Sequence, residues 1–267
     1  MKATLITGAS SGIGEAFARR LAAEKHNLVL VARSEDKLHQ LCDALMFEHK
    51  ITAHYVAIDL TEFEADKRLF EETEKHGLEI DWLINNAGFG SMGDFANLEL
   101  ERELEMINLN IMALVALTHR YLQKMRTRKR GTIINVSSTA GFQPLPFMAN
   151  YAATKAFVTS FTEAIAEENR PHGIKVLALC PGATETNFFD AANIKEPVQV
   201  KGMQTPQEVV ETGLNAVKKG KSSAISGWAN YAVAHIATLV PNSLVTKMVA
   251  KMVAKVLRPK VEGKSKS

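Results

Sequence analysis

The chain has 267 residues, 46% hydrophobic and 23% charged, with a formal net charge of +3. This is the balance of an ordinary soluble globular protein with room for one large α/β domain, and no overall field argues for nucleic acid as a partner. Two cysteines, Cys42 and Cys180, make no disulfide framework and suit a reducing compartment, and the histidines form no HxxxH pair or His/Cys cluster, so no metal site is expected.

Strand-like runs alternate with helical patterns from the start, which predicts parallel strands joined by crossover helices in one doubly wound α/β domain. Ala3 to Thr7 reads as the first strand, with no signal peptide before it, so a cytoplasmic protein is expected. Ile13 to Lys25 reads as a helix, Leu28 to Val31 as a buried strand, and Glu35 to Glu48 as the next helix. Thr52 to Ile58, Glu62 to Lys75 and Trp82 to Ile84 follow as strand, helix and short strand. A long helix over Leu100 to Lys129 has a break near Asn108 to Asn110. Thr132 to Val136 is the fifth strand, Tyr151 sits early in the next helix, and Lys175 to Cys180 is the sixth strand. A polar segment without clear period reaches Gln204. Thr205 caps a helix with Pro206 at its first position, and Ser223 to Ser226 reads as a seventh strand. The apolar stretch from Ala224 to Val240 is interrupted by Ser226, Asn230 and His235, and makes a poor membrane span.

Three features carry chemistry. Between the first strand and first helix lies Thr7-Gly8-Ala9-Ser10-Ser11-Gly12-Ile13-Gly14, whose glycines let the backbone turn tightly and approach a pyrophosphate at a helix N-terminus. The competing reading is a plain Gly/Ser turn capping a helix. Asp59, followed by Leu60, stands after the third strand, placed to meet an adenine edge. Asn85-Asn86-Ala87-Gly88 puts small residues where a nucleotide would cross the strand ends. Second, Ala32 stands at the end of the second strand where an NAD site keeps an acid, with Arg33 beside it. A guanidinium suits a 2′-phosphate, so the cofactor reads as NADP(H), unless Arg33 is an ordinary solvated arginine. Third, Tyr151 and Lys155 lie four apart, on one face of a helix. A nearby ammonium favours the phenolate, which would make Tyr151 a usable general acid/base.

In order and spacing, Thr7 to Gly14, Asn85 to Gly88, Ser138, Tyr151-x-x-x-Lys155 and Pro181-Gly182 together resemble the short-chain dehydrogenase/reductase family, in its shorter branch. The match runs from Lys2 to about Thr186. The resemblance implies a Rossmann-type fold and interconversion of a carbonyl and an alcohol by hydride transfer. It implies that Ser138 bonds the substrate carbonyl, that Tyr151 exchanges the proton, and that Lys155 lowers the tyrosine pKa and binds the nicotinamide ribose. Ser137 should point elsewhere. Asn110 matches the member that positions a proton-relaying water, with Asn108 as the competing candidate. Pro181, Gly182, Thr184 and Thr186 match the stretch beside the nicotinamide. The loop and small-residue positions Gly8, Ser10, Ser11, Gly12, Ile13, Gly14, Asn86, Ala87 and Gly88 complete the nucleotide site. The segment 183–204, with Phe188 and Phe189, reads as a substrate lid or else a surface loop. A homodimer or homotetramer is expected, paired through the helices of Asn110 and Tyr151.

The domain is expected to span residues 1–258, with an amphipathic helix over 244–258 and a basic tail over 259–267. Residues 247–267 carry +6, leaving −3 for the rest. This end either packs on its own domain or a partner subunit, or makes weak contact with a membrane surface. The phenylalanines and the apolar C-terminal region favour an apolar substrate, such as an oxoacyl chain or a steroid-like ring. The rivals to an enzyme are a non-catalytic NADP-binding regulator, although it would need none of Ser138, Tyr151 and Lys155, and a membrane-surface interaction protein acting through the basic end.

Overall fold

The computed structural model describes residues 1–186, 188 and 202–257. Among them, β1 (Lys2–Thr7), β2 (Leu28–Ala32), β3 (Ala53–Ala57), β4 (Glu79–Asn85), β5 (Gly131–Val136), β6 (Ile174–Cys180) and β7 (Ser223–Ile225) form one sheet in the order β3-β2-β1-β4-β5-β6-β7. All neighbouring strands are parallel. The crossovers are α1 (Gly12–Ala23), α2 (Glu35–His49), α3 (Ala65–Lys75), α4 (Leu100–Ile107), α5 (Leu114–Arg128), α6 (Ala149–Asn169) and α7 (Pro206–Lys218), with α8 (Trp228–Leu239) and α9 (Asn242–Leu257) after β7.

The strands are apolar at successive positions because both faces are covered. Ile6, Leu30, Ile84, Ile134 and Leu177 pack towards α1, α2 and α7, against Phe17, Leu38, Leu45 and Leu214. Their neighbours Leu5, Val29, Leu83, Ile133 and Val176 pack on the other face, against Leu69, Leu117, Met125 and Ile165. Each such side chain contributes about 1.5–3 kcal/mol by leaving water, so a continuous apolar strand is the stable solution here.

Two elements start three residues away from expectation, for identifiable reasons. β4 begins at Glu79, three residues before the apolar run, because its carboxylates have partners: Arg130 Nε stands 3.3 Å and Arg128 Nε 3.7 Å from Asp81 Oδ1, and Arg130 also pairs with Glu79. α3 starts at Ala65 rather than Glu62, because Glu64 adopts a left-handed backbone (φ 55°) that a helix cannot continue through. Thr205 caps α7 as expected, in a reciprocal arrangement with Glu208.

Because β1 pairs with both β2 and β4, the chain reverses its direction of winding there, and the loops after the two strands diverge to leave a crevice at the carboxyl edge. Of the expected lid, residue 187 and residues 189–201, with Phe189 among them, lie outside the described residues, as does the expected tail. The ends of the lid segment are nevertheless tied together: Glu185 N donates to Gln204 O at 2.9 Å and Gln204 N to Ala183 O at 3.1 Å.

Candidate active site

A cleft of about 680 Å³ opens along the carboxyl edge of β1, β2, β4, β5 and β6. All the residues expected at a nucleotide and reaction site line it, except Gly14 and Asn110. Thr7 organises the centre. Its hydroxyl accepts from Asn86 N and Ala87 N, both at 3.0 Å, and Asn86 Nδ2 donates to Thr7 O at 3.0 Å and Gly8 O at 3.2 Å. These bonds lock the glycine loop to the end of β4. Gly8 and Gly12 turn the loop with φ of 65° and 58°, which side chains resist.

The N-terminus of α1 opens on this cleft, and Ser11, its cap residue, makes no side-chain bond to it. Its first N–H groups are therefore available to an anion, as a pyrophosphate requires. Across the cleft, Thr186 lies so close to the loop that a Cβ on Gly12 would meet its Cγ2 at 2.9 Å. Arg33 is well exposed, with Nη1 3.6 Å from Asp59 Oδ2. Burial pushes the Asp59 carboxyl up, but bonds from Thr61 and the Arg33 charge outweigh it and hold the group below its usual range. The residues present thus fit a dinucleotide, with the Arg33 guanidinium beside the cleft.

The reacting end is built by β5 and α6. Ser138 leaves β5 in extended conformation, and its hydroxyl accepts from Ala140 N at 3.1 Å. Gly141 lets this turn lie against α6, since a Cβ there would stand 2.7 Å from the carbonyl carbon of Lys155. Ser137 points the other way, into the core, donating to Lys155 O at 2.7 Å. The Tyr151 ring is buried with Phe89 and Met106, and lies 5.2 Å from the Phe188 ring. Lys155 Nζ donates to Val136 O at 2.9 Å and sits 5.9 Å from the Tyr151 ring centre.

Asn110 lies in a π-helical turn, Asn108–Ala113, between α4 and α5. Its side chain accepts from Phe89 N at 3.2 Å and donates to Phe89 O at 3.0 Å and Thr154 Oγ1 at 3.1 Å. Gly88 separates it from the lysine: a Cβ there would be 2.8 Å from Asn110 Oδ1 and 3.5 Å from Lys155 Nζ. Asn108 instead donates to Thr61 O at 2.7 Å, away from this group.

The electrostatics depart from expectation. Burial pushes the Tyr151 phenol up to about 12, with only the Ser138 hydroxyl pulling the other way. Burial also lowers Lys155 to about 8. The Lys155 ammonium is directed at the Val136 carbonyl, and burial outweighs the Ser138 hydroxyl at the tyrosine and the Cys180 charge at the lysine.

This arrangement makes a testable statement about stability. Lys155 releases its proton near pH 8 when folded and near 10.5 when unfolded, so between these values the unfolded chain binds more protons. Its contribution to stability therefore rises with pH across that window, and the cost of burying the charge is present in full below it. The melting temperature of Lys155→Met minus that of the parent is expected to fall steadily from pH 8 to 10.5. A pH-independent gap would contradict the buried charge.

Sequence reasoning missed much of the outer cleft. Met92, Arg102, Glu105, Gln143, Leu145 and Met148 line it, along with Val233 and Ala234 of α8. The Arg102 guanidinium lies 3.8 Å over the Phe89 ring. Only proximity to the motifs singled these out, since none has a characteristic spacing.

A parallel sheet of this order, with a nucleotide-shaped cleft beside a tyrosine and a lysine, defines an NAD(P)-dependent oxidoreductase acting on hydroxyl or carbonyl groups. A family model described as short chain dehydrogenase matches residues 2–197, and the chain belongs to that family. Over 235 residues it is 33% identical to a 7beta-hydroxysteroid dehydrogenase of Mediterraneibacter gnavus, covering 86% of this chain and 88% of that one. It is 30% identical over 254 residues to the human very-long-chain 3-oxoacyl-CoA reductase, covering 92% of this chain and 77% of that one. A short-chain dehydrogenase of Sphingobium yanoikuyae solved in complex with NADPH superposes with a TM-score of 0.82 at 29% identity, over 100% of both chains.

Proposed function

We propose that the chain reduces an apolar ketone or aldehyde to the alcohol with NADPH. The observation that carries this reading is the meeting of Ser138, Tyr151 and Lys155 at one end of a dinucleotide-sized cleft, with Phe89, Met92, Leu145, Met148 and Phe188 among its outer lining. The bound nicotinamide supplies the hydride; the chain supplies orientation and the proton. Gly12, Ile13 and Gly14 would offer backbone N–H groups to the pyrophosphate, and Arg33 would take the 2′-phosphate. Asp59 and Leu60 would hold the adenine, with Asn86, Ala87 and Gly88 along the nucleotide's path, and Thr184 and Thr186 would hold the nicotinamide together with Pro181 and Gly182.

Ser138 donates to the substrate carbonyl oxygen, and Tyr151 delivers the proton to it. A phenol near 12 is fully protonated at neutral pH and so is ready to donate. Transfer to an alkoxide is downhill, because an alcohol is a weaker acid than this phenol. This favours the reductive direction. Lys155 lies below the ring to hold the ribose, and Asn110, fixed by Phe89 and Thr154, stabilises the π turn behind it. Phe89, Met92, Leu145, Met148 and Phe188 form an apolar wall for the substrate. Two of the relatives are a hydroxysteroid dehydrogenase and a very-long-chain 3-oxoacyl-CoA reductase, whose names place a steroid ring and a long acyl chain at the reacting end, which supports that class.

Turnover of NADPH and NADH with small, acyl-chain and ring ketones tests the reading. Consumption with one apolar class supports it, whereas tight NADPH binding without turnover on any class favours the regulator. Arg33→Ala is expected to raise the KM for NADPH about 10- to 100-fold, the worth of a charged hydrogen bond of about 1.5–3 kcal/mol, and to leave that for NADH unchanged. An equal effect on both would remove Arg33 from the phosphate site. Leu100, Leu104 and Met112 around the π turn and Phe157 of α6 are exposed, which supports pairing of these helices in a homodimer or homotetramer. Both cysteines are buried and free, which supports a reducing, cytoplasmic setting.

A further inference from the structure

We propose that the outward side of α8 and α9 docks on an anionic lipid surface. On α8, Trp228, Tyr231, Ile236 and Leu239 are exposed, Trp228 and Leu239 at 85% and 84%. Their spacing puts them on one side of the helix. On α9, Leu244 and Met248 are exposed, and so are Lys247 and Lys251, which the same periodicity places beside them. The inward sides are already occupied. Ala234 and Val245 are buried, Ala234 lines the cleft, and Asn230 Nδ2 bonds Ser226 O at 2.8 Å. The exposed apolar groups therefore remain outside after the helices have packed on their own domain.

Charge selects the occupant. The sequence has no Asp or Glu from Thr212 to Val261, and residues 247–267 carry +6 while the rest carries −3. A second copy meeting this surface symmetrically would bring its lysines against these with no acid between them, whereas lipid phosphates satisfy them. Tryptophan and tyrosine suit the headgroup level, with an apolar body and a polar edge. No helix among the described residues is long and apolar enough to cross a membrane, so the contact lies on the surface.

The test is sedimentation of the full chain with vesicles of phosphatidylcholine alone or mixed with phosphatidylglycerol, together with tryptophan emission. Binding is expected with the anionic vesicles only, weakened by added salt, with a blue shift that Trp228→Phe abolishes. The double variant Lys247→Glu/Lys251→Glu is expected to lose at least about 25-fold in affinity, about fivefold for each lysine near the surface. Its melting temperature, unchanged, would show that the fold is intact. Equal binding by the double variant, equal binding to neutral vesicles, or no binding would overturn the proposal. So would lipid-free self-association that shields Trp228.

Discussion

Tyr151→Phe is expected to lower kcat for ketone reduction by about 10²–10⁴-fold, the usual worth of a placed proton donor, and to leave NADPH affinity unchanged. The ring is buried with Phe89 and Met106 and lies against Phe188, so phenylalanine fills the same space. Ser138 keeps its bond from Ala140 N and stays in position. What disappears is the one proton that burial holds on the phenol at neutral pH. Single-turnover kinetics with saturating NADPH, alongside fluorescence titration of the nucleotide, separates the two quantities. Equal turnover by the variant would sink the assignment, and a parallel loss of NADPH binding would make Tyr151 structural rather than the donor.

Gly14→Ala is expected to disable the nucleotide site through the backbone. A Cβ at Gly14 would stand 2.2 Å from Gly8 O and 2.7 Å from Asn86 Nδ2. Neither can yield, because Gly8 is held in the loop and Asn86 is bonded to Thr7 O and Gly8 O. The start of α1 must move away from the loop, at a cost of about 1–3 kcal/mol or more in stability. The N–H groups of Gly12 and Ile13 then lose their aim, and each charged hydrogen bond lost costs about 10- to 100-fold in NADPH affinity. A lower melting temperature with weakened NADPH binding is the expected pair of results. Parental affinity would show that the loop tolerates the displacement.

The differences between expectation and structure have specific causes. The apolar runs of β1, β2, β5 and β6 are legible because both faces of each strand are buried, so nearly every position is apolar. β4 extends further than its apolar core because Arg128 and Arg130, distant in sequence, neutralise Asp81 and Glu79. The break near Asn108 to Asn110 is legible from two asparagines in a long helix, but not that it is a π turn, nor that Asn108 serves Thr61 while Asn110 serves Phe89. Thr7 stands inside the glycine motif, yet its role as the tie between two loops depends on β1 lying beside β4.

Sequence by itself determines the alternation of strands and helices, the glycine loop, the arginine after β2 and the four-residue spacing of Tyr151 and Lys155. Each of these is a local pattern, in which periodicity or short-range stereochemistry suffices. Only the tertiary structure decides the protonation of the reacting pair. A pKa depends on how many groups from distant segments exclude water from it, and here Phe188, Phe89 and Met106 push Tyr151 up where the adjacent lysine suggested the reverse. The same holds for the apolar wall of the cleft and for the exposed side of α8 and α9. Burial is a property of the packed chain, and an apolar residue at helical spacing can end on the packed or on the exposed side.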